Sequence, residues 1–126
     1  MAIETSRSES FGIERHGEIA VITPAPGVED MPETLITPAA EVVLAPLKKS
    51  PPAGLIINLS KVEFFGSVFI SFLLKCHMLA KRLGIEMVIA GCSPRARELL
   101  HLTALDTLWA LYDTLDEALE AVGTGD

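Results

Sequence analysis

Few residues in this 126-residue chain have both the type and the spacing to do covalent chemistry. His16, His77 and His101 are scattered, with no i, i+4 pair and no cysteine pair beside them. A zinc-type site needs three or four clustered ligands, so no metal is expected. Cys76 and His77 are adjacent, but neighbouring helix positions point apart, which argues against a thiolate–imidazole pair. Cys76 and Cys92 lie in apolar segments outside any Cys-x-x-Cys pattern and read as reduced core residues. Glu117 and Glu120 sit one turn apart near the C-terminus, where a solvated helix face explains them better than acid–base catalysis. Gly12, Gly17 and Gly27 do not make a phosphate cradle. The expectation is a non-enzymatic chain without a cofactor.

The informative stretch is instead Leu55 to Leu74. It opens as the continuous apolar run Leu55–Leu59, turns at Gly66-Ser67 and continues as an amphipathic helix from Ser67 to Leu83, which Gly84 ends. On that helix Phe69, Phe72, Leu73, Cys76, Leu79, Ala80 and Leu83 recur at core spacing, and Val68, Ser71, Lys75, Met78 and Arg82 form the opposite, solvent stripe.

The rest of the chain must support this unit. Phe11–Arg15 and Glu18–Thr23 read as a hairpin turning at His16-Gly17. Pro24 to Pro32 reads as a loop, and Thr37-Pro38 as the start of a helix to Lys49 that Pro46 bends or ends. Ile85–Ala90 is a strand, and Ser93-Pro94 caps a helix whose inner face is Ala96, Leu99, Leu100 and Thr103. Leu108–Tyr112 is a short strand, and Thr114-Leu115-Asp116-Glu117 is a capping box for a last helix burying Leu115, Ala118, Leu119 and Val122. The order implies an α/β fold: a mixed sheet with an N-terminal hairpin and about four helices packed mainly on one side. Residues 1–10 read as a flexible tail, 11–122 as one domain and 123–126 as a flexible end.

Net charge is −7, which excludes a conventional nucleic-acid binder. From Ser60 to His101, however, Lys61, Lys75, Lys81, Arg82, Arg95 and Arg97 face only Glu63, Glu86 and Glu98. Such a face suits an acidic partner, and a mixed solvated surface is the alternative. No apolar run reaches the roughly 18 residues of a membrane span, since Val68–Leu74 is broken by Ser71 and closed by Lys75. The first residues lack a basic-then-apolar signal, so the expected location is cytoplasmic, without membrane insertion.

The residue order resembles the STAS domain of bacterial anti-sigma factor antagonists across about residues 11 to 122. Asn58-Leu59 after a buried strand, the apolar pair Phe64-Phe65, the long helix, Cys92-Ser93-Pro94 and Tyr112–Leu119 follow in the family's order. The resemblance implies a STAS fold and a protein partner, namely an anti-sigma factor or a GHKL-type serine kinase; a homodimer is left open. In the family, the six residues at the helix start read Asp-Ser-Ser-Gly-Leu-Gly, and the second serine accepts a phosphate. Here they are Gly66-Ser67-Val68-Phe69-Ile70-Ser71, so the acceptor position falls on Val68, which has no hydroxyl.

Three readings of the helix start remain open: Ser67 is phosphorylated one position early, Ser67 is only the N-cap, or Ser71 is the acceptor. The expected partner-binding residues are Phe65, Gly66, Ser67, Val68, Phe69, Ser71 and Lys75. An exposed cluster of Phe65, Val68 and Phe69 would be a protein-binding surface; the alternative places Phe65 and Phe69 in the core. Rival roles are a STAS subunit of a stressosome-like or lipid-transport ABC assembly, or a small-molecule sensor.

Overall fold

The computed structural model describes residues 5–7 and 11–123. Six strands form one sheet in the order β1 (Thr5–Arg7), β2 (Phe11–His16), β3 (Ile19–Pro24), β4 (Gly54–Asn58), β5 (Glu86–Ala90) and β6 (Leu111–Tyr112). β1, β2 and β3 pair antiparallel, and β3 to β6 run parallel. The β2–β3 hairpin closes at His16↔Ile19, where Gly17 takes a φ of 62° that suits glycine. Parallel neighbours need crossovers, and α1 (Glu33–Lys49), α2 (Ser67–Leu83) and α3 (Pro94–Leu102) supply them, with α4 (Leu115–Gly123) closing the chain.

Period-two alternation divides the strands between two cores. Ala20, Ile22, Leu55, Ile57, Met87 and Ile89 join the core under α1, α2 and α3. Ile19, Val21, Ile56, Val88 and Ala90 face the other way and are covered by α4 through Ala118, with Leu115, Leu119 and Val122 packed at the margin. Three helices therefore lie on one face and one on the other.

α2 has the bounds and the buried face expected of it. Phe69, Phe72, Leu73, Cys76, Leu79 and Ala80 are buried, Lys75 and Arg82 are exposed, and Gly84 ends the helix at a φ of 73°. Ser93 caps α3 by accepting a hydrogen bond from the Ala96 N–H at 3.0 Å. Thr114 and Glu117 form the reciprocal capping box of α4.

Four expectations are corrected. α1 begins at Glu33 rather than near Pro38, and neither Pro38 nor Pro46 breaks it. Its buried stripe already starts at Ile36 and recurs at Ala40, Val43, Leu44 and Leu47, so tertiary packing outweighs the backbone bonds the prolines remove. Thr103 is not on the inner face of α3. It is exposed at the helix end and donates its hydroxyl to the Leu99 carbonyl at 2.8 Å. The strand expected over Leu108–Tyr112 shrinks to Leu111–Tyr112, because Trp109 is buried with its indole N–H donated to His77 Nδ1 at 3.0 Å. Within the expected tail, Thr5–Arg7 forms the edge strand β1; residues 1–4, 8–10 and 124–126 lie outside the described residues.

Leu73 is fully buried at the centre of the α2 face. Leu73→Ala is therefore expected to lower stability by about 2–5 kcal/mol in urea unfolding. A loss below about 0.5 kcal/mol would be that of a surface position and would contradict this packing.

Candidate functional site

The site is the junction where β4 leaves the sheet and α2 begins. Asn58, only 9% exposed, ends β4. Its side-chain oxygen accepts from the Ser60 N–H at 3.2 Å, turning the chain, and the Leu59 N–H donates to the Ala90 carbonyl at 2.8 Å. Gly91, at a φ of 74°, lies against this turn, and a Cβ there would meet Asn58 Oδ1 at 3.0 Å and Ser60 at 3.1 Å.

From this turn the segment runs over the end of the sheet. Leu59, Val62 and Phe65 plug into the core. A chain of rings continues inward: Phe65 to Phe69 at 5.0 Å, Phe69 to Phe72 at 5.5 Å and Phe72 to Phe11 at 4.5 Å. These contacts hold the first turns of α2 in place. α3 braces the outer side of the same segment, because the Ser93 hydroxyl donates to the Glu63 carbonyl at 2.5 Å.

Of the two readings of Phe65 and Phe69, the core one holds and their expected role as partner-binding residues is corrected: their rings are 2% and 1% exposed and serve as anchors. Val68 is not on an open solvent stripe either. It is half-buried, packs against the core and lines a shallow groove between α1 and α2 with Ile36, Thr37, Ala40, Ser71 and Lys75. Gly66, Ser67, Ser71 and Lys75 are exposed. Ser67 is not the N-cap. Gly66 occupies that position in extended backbone, its carbonyl accepting from the Ile70 N–H at 3.1 Å, and Ser67 is the first helical residue with no capping hydrogen bond. The Ser71 hydroxyl donates to the Ser67 carbonyl at 3.1 Å.

One residue escaped the sequence reading. Phe64 is 42% exposed, with the Arg95 guanidinium carbon 4.6 Å from its ring centroid. No periodicity signalled it, because residues 62–66 belong to neither a strand nor a helix.

The nucleophile candidates are quiet. Burial raises the Cys92 thiol to about 11, which the nearby Arg97 charge only partly offsets, and burial pushes the Cys76 thiol far above the ordinary range. Neither is a thiolate near neutral pH. The His77 ring nitrogen Nδ1 is engaged by Trp109. Among the described residues, no group of three or more His, Cys, Asp or Glu side chains is placed to hold a metal, and no helix is long and apolar enough to cross a membrane.

The pattern of the STAS domain family matches residues 12–118. The anti-sigma-F factor antagonist RsfB of Mycobacterium tuberculosis is 33% identical over 94 residues, spanning 72% of this chain and 75% of its own length. A solved anti-sigma-factor antagonist (STAS) domain protein from Planctomyces limnophilus superimposes with a TM-score of 0.73 at 28% identity, covering 97% of this chain and 98% of its own. An anti-sigma factor antagonist from Mycobacterium paratuberculosis does so with a TM-score of 0.65 at 29% identity, covering 97% and 95%.

The close approach at Gly91 yields a stability prediction. Gly91→Ala adds a Cβ against Asn58 and Ser60 in left-handed backbone, whereas Gly84→Ala meets the same backbone strain in open space. Gly91→Ala is expected to cost about 1–3 kcal/mol and more than Gly84→Ala. Equal losses in parallel urea titrations would show that the turn does not depend on this contact.

Proposed function

This chain belongs to the STAS domain family and is a regulatory protein-interaction domain similar to anti-sigma factor antagonists; we propose that it binds an anti-sigma factor of the GHKL serine-kinase type, without catalysing a reaction itself and without the family's phosphoserine switch. Binding would take place in the cytoplasm, through the surface formed by Phe64, Gly66, Ser67, Ser71 and Lys75 at the β4–α2 junction.

The observation that carries this reading is the split of the junction into buried anchors and an exposed strip. Phe65 and Phe69 hold the start of α2 rigidly, while Gly66, Ser67, Ser71 and Lys75 stand clear of the core. A preorganised strip loses little conformational entropy on docking. Such a surface suits binding, and among the described residues no group of side chains able to hold a metal lies beside it.

The lost switch follows from the chemistry of residue 68. A phosphate at the start of a helix adds about −1.5 to −2 charges, enough to reverse a docking preference. Val68 offers no oxygen to phosphorylate, and its side chain is half-buried against α1. Without that modification, occupancy of the partner would follow concentration and affinity alone.

Two measurements test the proposal. Titration calorimetry against each anti-sigma factor of the same organism is expected to give a saturable isotherm with one of them; no binding to any of them contradicts the reading. Incubation of the bound pair with ATP is expected to leave this chain at its unmodified mass, and stoichiometric phosphate on Ser67 in the mass spectrum would overturn the claim of a lost switch.

A further inference from the structure

The rim of the junction carries a feature that the family motif does not describe. Phe64 projects outward, and Arg95, from the first turn of α3, lies over its ring at 4.6 Å. The pair is held from below. Ser93 donates to the Glu63 carbonyl at 2.5 Å and accepts from the Ala96 N–H at 3.0 Å, so the backbone beneath Phe64 and the helix bearing Arg95 are joined through one hydroxyl. A guanidinium stacked on an aromatic ring still directs its N–H groups outward in the ring plane, ready for a carboxylate.

The surrounding charge is mixed, with exposed Lys61 and Arg95 beside exposed Glu63 and Glu98, so the geometry of Arg95 on its ring and not a net field marks this corner. Lys61 is exposed on the same segment, and the first turns of α2 and α3 contain no acidic residue. The ion pairs among the described residues engage His16, Arg97 and His101, leaving Arg95 and Lys61 outside them. Glu63 is the one acid on the segment, and its carbonyl, not its carboxylate, is the group that Ser93 holds. In a chain of net charge −7, the span 60–101 that contains this corner has six basic residues against three acids.

We propose that the stacked Phe64–Arg95 pair is the specificity-determining corner of the docking surface and receives an acidic, carboxylate-bearing segment of the partner protein. The inference rests on the functional reading above and extends it, by assigning the partner's chemistry at the contact. Phe64 supplies apolar area that leaves water on docking, and its ring keeps the guanidinium in one orientation. Arg95 supplies a forked donor to a carboxylate, and Lys61 adds unspecific attraction. An arginine on an exposed aromatic platform costs little to order, since its planar head is already positioned.

The test uses the full chain and the anti-sigma factor that binds it by calorimetry. Arg95→Glu is expected to weaken binding by tenfold or more, on the order of the loss seen when like charges meet at an interface. Arg95→Lys retains the charge but loses the forked, stacked head and should restore only part of the affinity, and Phe64→Ala should weaken binding without abolishing it. Lys49→Glu, an equal charge change at the exposed C-terminal end of α1, should leave affinity unchanged. Raising the salt from about 50 to about 300 mM should weaken the wild type more than Arg95→Glu, because screening acts on the contact the variant has already lost. Thermal melts of all variants should coincide.

Wild-type affinity in Arg95→Glu would overturn this inference and leave the functional reading standing. Equal weakening by Lys49→Glu would also overturn it, by showing diffuse attraction rather than a corner. If no anti-sigma factor binds the wild type, the functional reading falls and this inference falls with it.

Discussion

Every residue of β4 from Gly54 to Asn58 is buried, and this single strand sets the demands on the rest of the molecule. A strand buried on both faces needs a hydrogen-bonded neighbour on each side and an apolar cover above and below. β3 and β5 are the neighbours, α1 and α2 cover one face, and α4 covers the other. Gly54 shows how tight the second cover is, since a Cβ there would sit 2.4 Å from a Val122 methyl. The end of β4 is thereby held still, and the chain that leaves it through Asn58 enters α2 along a defined path. On the proposed reading, the docking surface is a by-product of terminating a buried strand.

The phenylalanines do the second part of this work. Phe11, Phe65, Phe69 and Phe72 form one continuous series of ring contacts from the hairpin to the junction. Four aromatic side chains, each removing on the order of 150–250 Å² from water, tie the first turns of α2 to the core. The glycine-rich sequence of the family leaves small residues at this place. Here Phe69 takes one of those positions and turns inward, so it strengthens the core under the surface and does not enlarge the surface itself. On the proposed reading, the neighbouring Val68 removes the hydroxyl through which the junction would be regulated.

Much of this was legible in the sequence, and the reasons are local. α2 announced itself through a long stripe at helical spacing and a terminal Gly84, and α3 and α4 through Ser93 and the Thr114–Glu117 box, whose side chains bond to backbone a few residues away. What stayed hidden depends on contacts distant in sequence. Pro38 and Pro46 read as helix boundaries, but packing of Ile36, Val43 and Leu47 carries α1 through both. Trp109 looked like a strand residue until its indole met His77, 32 positions away. At the site, Ser71 and Lys75 are exposed as the helical spacing put them, whereas Ser67 is the first helical residue and not the N-cap, and Val68 is half-buried and not on the solvent stripe. The inward turn of Phe65 and Phe69, and the outward turn of Phe64, required knowing how the junction crosses the sheet.

The central claim is that the β4–α2 junction, braced by α3, is the surface that meets the partner. Amide chemical-shift mapping tests it most directly, by titrating the anti-sigma factor that binds into the isotopically labelled chain. The account predicts perturbations concentrated at residues 63–71 and 93–97, with α4 silent. Perturbations confined to α4 and the exposed edge of the sheet, with the junction unchanged, would contradict it.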